Sequence, residues 1–213
     1  MPGLEHSLDH RYKFPLLVRC ASVVWFAVWF PVYWRYWGVQ NFLHVCDITV
    51  ILTCAALFWS SPLLLSSQAV ASILTDLLWD LDAGWRLFSS HNLVGGTEYM
   101  WDAHYPLWVR LLSLFHIVWP ILLLCALRRT GYDRRGFALQ SSITAVAIIA
   151  SRFTNPSLNI NFAFRAPIGN RSWGPAPVHV ALMWLGFVLV IYLPTHLLLA
   201  KLFLARARRD QAT

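Results

Sequence analysis

The chain has 213 residues, of which 58% are hydrophobic and only 13% are charged, whereas an ordinary globular domain has about 25% charged residues. This composition excludes a typical soluble domain and predicts a protein integral to a membrane. The net charge of +7 does not indicate nucleic-acid binding. The basic residues cluster at the ends of apolar segments, and they form no patch interleaved with stacking aromatics.

Six apolar segments are long enough to cross a bilayer, at about 20 residues per span. The first ends in the aromatic stretch YWRYWG, as expected at a membrane–water interface. The third and fourth open with prolines, which suit the first position of a helix. The predicted fold is therefore all-α, a single polytopic bundle over residues 1–213 with spans at 16–36, 41–59, 62–82, 106–127, 136–153 and 176–203.

Lysine and arginine residues near the ends of the spans predict the orientation. Six spans place both termini on one side, and ten basic residues lie there: Arg11, Lys13, Arg128, Arg129, Arg134, Arg135, Lys201, Arg206, Arg208 and Arg209. Six lie on the other side: Arg35, Arg86, Arg110, Arg152, Arg165 and Arg171. The excess predicts cytoplasmic termini.

The second predicted span, NFLHVCDITVILTCAAL, carries His44, Cys46 and Asp47 within four residues. Ionisable groups are costly in hydrocarbon and generally mark function. In a helix His44 and Asp47 would share a face, which also allows a simple hydrogen bond that neutralises the pair. A zinc site completed by His104 or His116 is a further alternative, but no compact ligand motif favours it, and we predict no metal and no cofactor.

The predicted topology brings costly groups from several segments to a similar depth. Cys46, Asp47, Asp76, His116 and His179 all fall in the outer half of the bilayer, beneath the long loops 83–105 and 154–175. One polar pocket would produce this pattern. The alternative is that each group is merely hydrogen-bonded to a neighbouring helix.

Cys46 and His116 are the candidate catalytic pair. A thiol becomes a useful nucleophile when a histidine takes its proton, and Asp47 or Asp76 could orient that imidazole. His44 and His179 are candidate substrate contacts. In the late loop, Asn161 and Arg165 are candidate headgroup contacts, since arginine binds phosphate in a bidentate manner. The alternative for Arg165 is an ordinary interfacial arginine.

Several motifs, taken in order, resemble the YwaF-like bacterial integral membrane proteins and their animal homologue, a transmembrane Cys/His acyltransferase of ether phospholipids. They are LHVCDITVILT, RLLSLFHIVWPILLL, the basic loop RRTGYDRR, NPSLNINFAFRAP, a WGP turn and YLP, over roughly residues 40–200. By motif position the resemblance implies Cys46 and His116 as the catalytic pair. It also implies a bacterial cytoplasmic membrane as the location of this multi-pass protein. The chain departs from the animal pattern at Asp47, where that pattern has histidine, and from the bacterial one at Phe162, where tyrosine is usual.

The leading hypothesis is an integral membrane enzyme that transfers or hydrolyses acyl chains of membrane lipid esters. The expected partners are membrane lipids and no nucleic acid, and the oligomeric state is left open. The alternative is a non-catalytic lipid- or small-molecule-binding membrane protein, or a transporter, in which the acids and histidines form a binding pocket or proton relay.

Overall fold

The computed structural model describes residues 13–209 and is all-helical, with no strand in that range. The first three helices are α1 (Leu16–Trp37), α2 (Val45–Trp59) and α3 (Pro62–Ser89). Next come α4 (Leu107–Thr130), which includes a 3₁₀ turn at Leu112–Leu114, and α5 (Arg135–Ser151). The last, α6, consists of an α-helical part Ala176–Gly186, a π-helical turn Phe187–Tyr192 and a second α-helical part Leu193–Arg209. Short 3₁₀ turns lie at Val39–Leu43, Glu98–Trp101 and Ile160–Phe162.

Four helices are long and apolar enough to cross a membrane: α1, α3, α4 and the part Ala176–Phe203 of α6. Large apolar side chains such as Leu17 and Val190 cover the outside, while many buried side chains are polar. This arrangement is expected of a multi-pass membrane protein, and the predicted all-α class is confirmed. Helices α2 and α5 are shorter, with 15 and 17 residues. Of the orientation residues, Arg11 lies outside the described residues, as do the side chains of Arg206, Arg208 and Arg209.

Helix ends occur at residues whose conformation stops or starts a helix. Gly38 and Gly131 follow α1 and α4 with φ of 78° and 80°, values that glycine adopts at no steric cost. Helix α3 opens with Pro62, directly after Ser61, whose hydroxyl accepts a hydrogen bond from the Leu64 N–H at 3.4 Å. Proline at the first position and a serine cap before it are both favourable.

Helix α3 is the centre of the bundle, since it packs against α2, α4, α5 and α6. Its contact with α5 includes Gly136, where an added Cβ would lie 2.7 Å from the Ser67 amide nitrogen. Only a residue without a Cβ allows the two backbones to approach this closely. The glycine therefore fixes where α5 sits on α3.

Two helices differ from the approximate bounds of the predicted spans, for physical reasons. The second span was predicted from residue 41, but the helix begins at Val45, and His44 has an extended backbone with ψ of 134°. The third span was predicted to end at residue 82, but α3 continues to Ser89. The Asp82 carboxylate is buried without breaking the helix, because the backbone N–H groups of Val94 and Gly95 donate to it at 2.6 and 3.1 Å.

Candidate functional site

We use the name site cluster for four predicted residues: Cys46, Asp47, Asp76 and His116. The first two lie in the first turn of α2. Asp47 is buried and accepts a hydrogen bond from the Asn41 side-chain amide at 2.5 Å, while Cys46 is half-buried and packs against the main apolar core. Asp76, on α3, is also buried, and the Ser72 hydroxyl of the same helix donates to it.

The Cys46 thiol lies within electrostatic reach of both carboxylates, Asp47 and Asp76. The only ion pair in the described part of the chain joins Arg135 to Asp133, outside the cluster. Two buried carboxyl groups therefore share this region with a thiol and have no basic side chain paired to them. Such uncompensated acids are expensive in a membrane and indicate a binding or chemical role.

His116 is held rigidly inside the bundle. It is 4% exposed, and its ring stacks on Trp79 with centroids 4.3 Å apart and planes 5° apart. Nδ1 donates to the Ser113 carbonyl oxygen at 2.7 Å, so in the neutral ring the lone pair is on Nε2. The imidazole thus offers one basic nitrogen in a fixed orientation.

The ring is oriented differently from the expectation. A carboxylate, Asp47 or Asp76, was expected to orient His116, but the structure uses a backbone carbonyl and an aromatic stack instead. Among residues 13–209 no hydrogen bond joins the Cys46 thiol to His116, and His44 lies within electrostatic reach of the ring. The site cluster makes its hydrogen bonds within its own helices or with the adjoining turn.

Two tyrosines that the sequence reading missed line the same region. The Tyr33 hydroxyl lies 2.7 Å from Ser113 Oγ. Tyr99, from the turn Glu98–Trp101, lies against Ser113 and Trp79 and within electrostatic reach of Cys46 and Asp47. Burial raises the pKa of Tyr99 well above its ordinary value, so its hydroxyl remains protonated as a hydrogen-bond donor. Its position between α3 and α4 is a tertiary property that the loop sequence does not reveal.

The side-chain amide of Asn161, a predicted headgroup contact, makes three hydrogen bonds within the protein. Its Oδ1 accepts from the Val45 N–H at 3.0 Å, and its Nδ2 donates to the Leu43 carbonyl at 2.7 Å and to Ser151 Oγ at 3.1 Å. The amide is 5% exposed. It therefore caps the first turn of α2, which carries Cys46, and is not free for a ligand.

His179 is likewise occupied by the protein. Its Nδ1 accepts from the Trp173 N–H at 3.1 Å, and its Nε2 lies 2.9 Å from the Phe162 carbonyl. The ring is fully buried and links the late loop to α6, and the role of His179 as a substrate contact stays a prediction. Arg165 is half-buried, its guanidinium donates to the Ser157 carbonyl at 3.4 Å, and its Nε is buried without a hydrogen bond in the described part of the chain.

A second polar region runs between α3, α5 and α6, and we call it the polar network: Ser67, Gln68, Gln140, Thr144 and Tyr192. The Ser67 hydroxyl donates to Gln140 Oε1 at 3.0 Å, and Gln140 Nε2 donates to Thr144 Oγ1 at 3.2 Å. Thr144 Oγ1 in turn lies 2.7 Å from the Tyr192 hydroxyl. Tyr192 lies within electrostatic reach of Cys46, so the network leads towards the site cluster.

An apolar groove of about 350 Å³ lies beside the start of α2. Leu43 and Ile48, which flank the site cluster in sequence, form one wall, and α5 forms the other with Ser142, Ile143, Val146, Ala147 and Ala150. We call it the α2/α5 groove. Its lining suits an acyl chain more than a polar ligand.

Within residues 13–209, no group of three or more His, Cys, Asp or Glu side chains is placed to hold a metal ion. The zinc alternative thus finds no ligand set in that part of the chain. Comparisons with family models, curated proteins and solved structures give no match. The resemblance to YwaF-like proteins therefore stays a prediction that rests on the motifs.

Proposed function

We propose that this chain is a six-span membrane protein with both termini in the cytoplasm of a bacterium, and that it transfers or hydrolyses acyl chains of membrane lipid esters. Cys46 is the nucleophile and His116 the base. The proposal is supported by two observations: the Cys46 thiol lies within electrostatic reach of Asp47 and Asp76, and the buried His116, on another helix, uses only Nδ1 in a hydrogen bond, which leaves Nε2 as the basic nitrogen.

The reaction is written in two balanced steps. Cys46 Sγ attacks the ester carbonyl of a lipid while His116 Nε2 takes the thiol proton, so the S–C bond forms and the C–O bond breaks. The imidazolium then gives that proton to the departing alcohol. In the second step a hydroxyl of another lipid, or water, loses a proton to Nε2 and attacks the thioester, and the thiol recovers a proton as it leaves.

Other groups have supporting roles in this proposal. The carboxylates Asp47 and Asp76 stabilise the imidazolium through their charge, as an acid does in a catalytic triad. The Tyr99 hydroxyl is a donor for the carbonyl oxygen as negative charge develops on it. The α2/α5 groove holds the acyl chain beside Cys46. Thiol and imidazole come into contact in the lipid complex, since catalytic hydrogen bonds are often long without substrate.

The decisive experiment looks for the thioester. Protein in nanodiscs of phospholipid with isotope-labelled acyl chains is digested, and the peptide bearing Cys46 is examined by mass spectrometry for a hydroxylamine-labile acyl group. Wild type is expected to carry it, and Cys46→Ala is expected to lose both the adduct and acyl transfer. Cys54→Ala is the matched control, because Cys54 is a free thiol on the same helix. If Cys46→Ala and His116→Ala both keep full activity, the mechanism is wrong.

A second candidate is a non-catalytic lipid- or small-molecule-binding protein or a transporter. The observation that favours it is the pair of buried carboxyl groups, Asp47 and Asp76, with no ion-pair partner among the described residues. Such groups serve as proton relays in membrane transporters. Proton-coupled flux in sealed liposomes, abolished by Asp76→Asn and unchanged by Cys46→Ala, would favour this candidate over the enzyme.

A further inference from the structure

A second apolar groove, of about 550 Å³, lies on the other side of α5, between α5 and α6. We call it the α5/α6 groove. Its lining consists of Ala145, Ile149, Arg152, Phe153, Ala176, Pro177, Val180, Ala181 and Trp184. The α5 members recur every three or four residues, so they share one helix face, and the small side chains of Ala145, Ala176 and Ala181 leave the space that defines the groove.

The dimensions of the groove suit one lipid chain. Residues 176 to 184 advance by about 12 Å at 1.5 Å per residue, close to the roughly 15 Å of hydrocarbon in one leaflet. The floor is fixed, because the Trp184 indole N–H donates to the Ser141 carbonyl at 2.9 Å. Phe153, at the end of the groove, is 87% exposed, as expected of a side chain in lipid.

Arg152 supplies the only charged side chain of the lining. Its guanidinium lies 4.2 Å from the centre of the Phe164 ring and donates one hydrogen bond, to the Ala163 carbonyl at 3.2 Å. In the described part of the chain it forms no ion pair. An arginine has five N–H donors, and most of those of Arg152 are free. Its guanidinium is held in one orientation and lies at the end of the apolar groove.

We propose that the α5/α6 groove binds an anionic phospholipid of the surrounding bilayer, with one acyl chain along Ala145, Ala181 and Trp184 and the phosphate paired with Arg152. Charge complementarity selects the occupant, because a planar guanidinium matches a phosphate in a bidentate manner. The groove contains none of the site cluster, so this lipid is a resident ligand and not the substrate. The proposal requires only that the chain is in a membrane, and it is independent of the proposed reaction.

The test measures lipid retention by native mass spectrometry, on the Cys46→Ala protein so that no reaction consumes the lipid. Delipidated protein in detergent is titrated with phosphatidylglycerol. One lipid is expected to bind, and Arg152→Gln is expected to weaken its affinity about tenfold or more, as the loss of a charged hydrogen bond implies. Arg35→Gln is the matched control, since Arg35 is an exposed arginine near an aromatic ring, Tyr36, at the same end of the bundle. The affinity of Arg35→Gln for phosphatidylglycerol is expected to equal that of the parent protein.

A second pair of variants tests whether the acyl chain of the lipid lies in the groove. Ala181→Phe fills the groove and is expected to reduce binding, while Leu182→Phe, at the neighbouring position outside the lining, is expected to leave it unchanged. If Ala181→Phe does not fold, the Arg152→Gln result still decides.

Three further titrations identify the source of the recognition. Phosphatidylcholine with the same chains is expected to bind more weakly, which supports selection for anionic lipid. Diacylglycerol that binds as tightly as phosphatidylglycerol would overturn the role of Arg152. Inorganic phosphate that displaces the lipid at millimolar concentration would show an anion site without a chain groove and would also overturn the proposal, as would equal affinities of Arg152→Gln and the parent.

Discussion

The buried polar side chains of the bundle fall into two regions that are bonded in different ways. In the polar network, two hydrogen bonds cross between helices: Ser67 on α3 bonds to Gln140 on α5, and Thr144 on α5 bonds to Tyr192 on α6. The bond from Gln140 to Thr144 joins these two crossings along α5. In the site cluster, the bonds stay local: Asp76 is bonded by Ser72 on its own helix, and His116 by the carbonyl of Ser113, three residues before it.

This difference separates polar groups that hold helices together from polar groups that are free to act. Crossing bonds fix the spacing of helices, and removing one leaves a buried group unsatisfied. Local bonds orient a side chain without engaging it in assembly, so its remaining atoms can meet a ligand. Substitutions in the network should therefore change stability, and substitutions in the cluster should change activity.

The largest effect on stability is expected for Gly136→Ala, at the contact of α5 with α3 beside the polar network. The new Cβ would lie 2.7–2.8 Å from backbone and side-chain atoms of Ser66 and Ser67, and backbone cannot move aside without separating α5 from α3. Overpacking of this kind costs about 1–3 kcal/mol, more than the roughly 1 kcal/mol that alanine gains over glycine in a helix. A fall in the free energy of unfolding in detergent is expected.

Gly84→Ala is the matched control, because Gly84 also lies within a helix and an added Cβ there meets no atom within 4 Å. We expect it to be neutral or slightly stabilising. Equal unfolding free energies for the two variants would show that the close approach of α3 and α5 does not exist in the folded protein.

The next effect is expected for Gln140→Leu, in the middle of the polar network. The substitution removes the acceptor of the Ser67 hydroxyl and the donor to Thr144, and both hydroxyls stay buried. Thr144 keeps its hydrogen bond with the Tyr192 hydroxyl, but the Ser67 hydroxyl loses its acceptor, which costs about 1–3 kcal/mol, and the added apolar surface offsets part of that cost. The melting temperature of Gln140→Leu should fall below that of Ser142→Ala, a change at an exposed hydroxyl on the same helix. Equal melting temperatures would break the distinction between the regions.

The sequence was sufficient to predict the fold class and the position of most helices. The length of an apolar segment and a proline at its start are local features of the sequence. Pro62 and Pro106 therefore indicated directly where two helices start. The start of α2 could not, because its cap comes from Asn161, 116 residues after Val45. The extension of α3 was missed for a similar reason, since the partners of Asp82 lie 12 and 13 residues later in a loop.

The candidate site was predictable in its residue types and not in its bonds. Charged and nucleophilic residues in apolar segments are visible in the sequence, which gave Cys46, Asp47, Asp76 and His116. The hydrogen bond of His116 Nδ1 depends on the 3₁₀ turn that presents the Ser113 carbonyl to it. The polar network was missed because glutamine and serine in a span become informative only when their partners on other helices are known.

A smaller effect is expected for Asp133→Asn. Asp133 lies in the loop before α5, and its backbone N–H donates to Ser66 Oγ, beside the polar network, at 2.8 Å. Hydrogen bonds from the Arg135 side chain lower the pKa of Asp133 below its ordinary value. A carboxyl with a lowered folded pKa stabilises the protein above its unfolded pKa, about 3.9, and loses that contribution as the pH falls through the lowered value.

Asp133→Asn should therefore lower the melting temperature slightly at pH 7, with the difference from wild type vanishing at the acid end. The shift is expected to be small because the Arg135 side chain is 78% exposed, and solvent screens such pairs. Melting curves from pH 7 to pH 3 provide the check. A difference that grows towards acid pH would contradict the sign of the pKa shift.

The smallest effect on stability, and a large one on function, is expected for Asp76→Asn in the site cluster. An amide keeps the acceptor for the Ser72 hydroxyl and replaces a buried acid that has no basic partner in the described part of the chain, so the free energy of unfolding should change by less than about 1 kcal/mol. Thioester formation on Cys46 should slow, because the charge that stabilises the imidazolium is gone. If Asp76→Asn were as destabilised as Gln140→Leu and still formed the thioester, Asp76 would contribute to the stability of the bundle and not to the reaction.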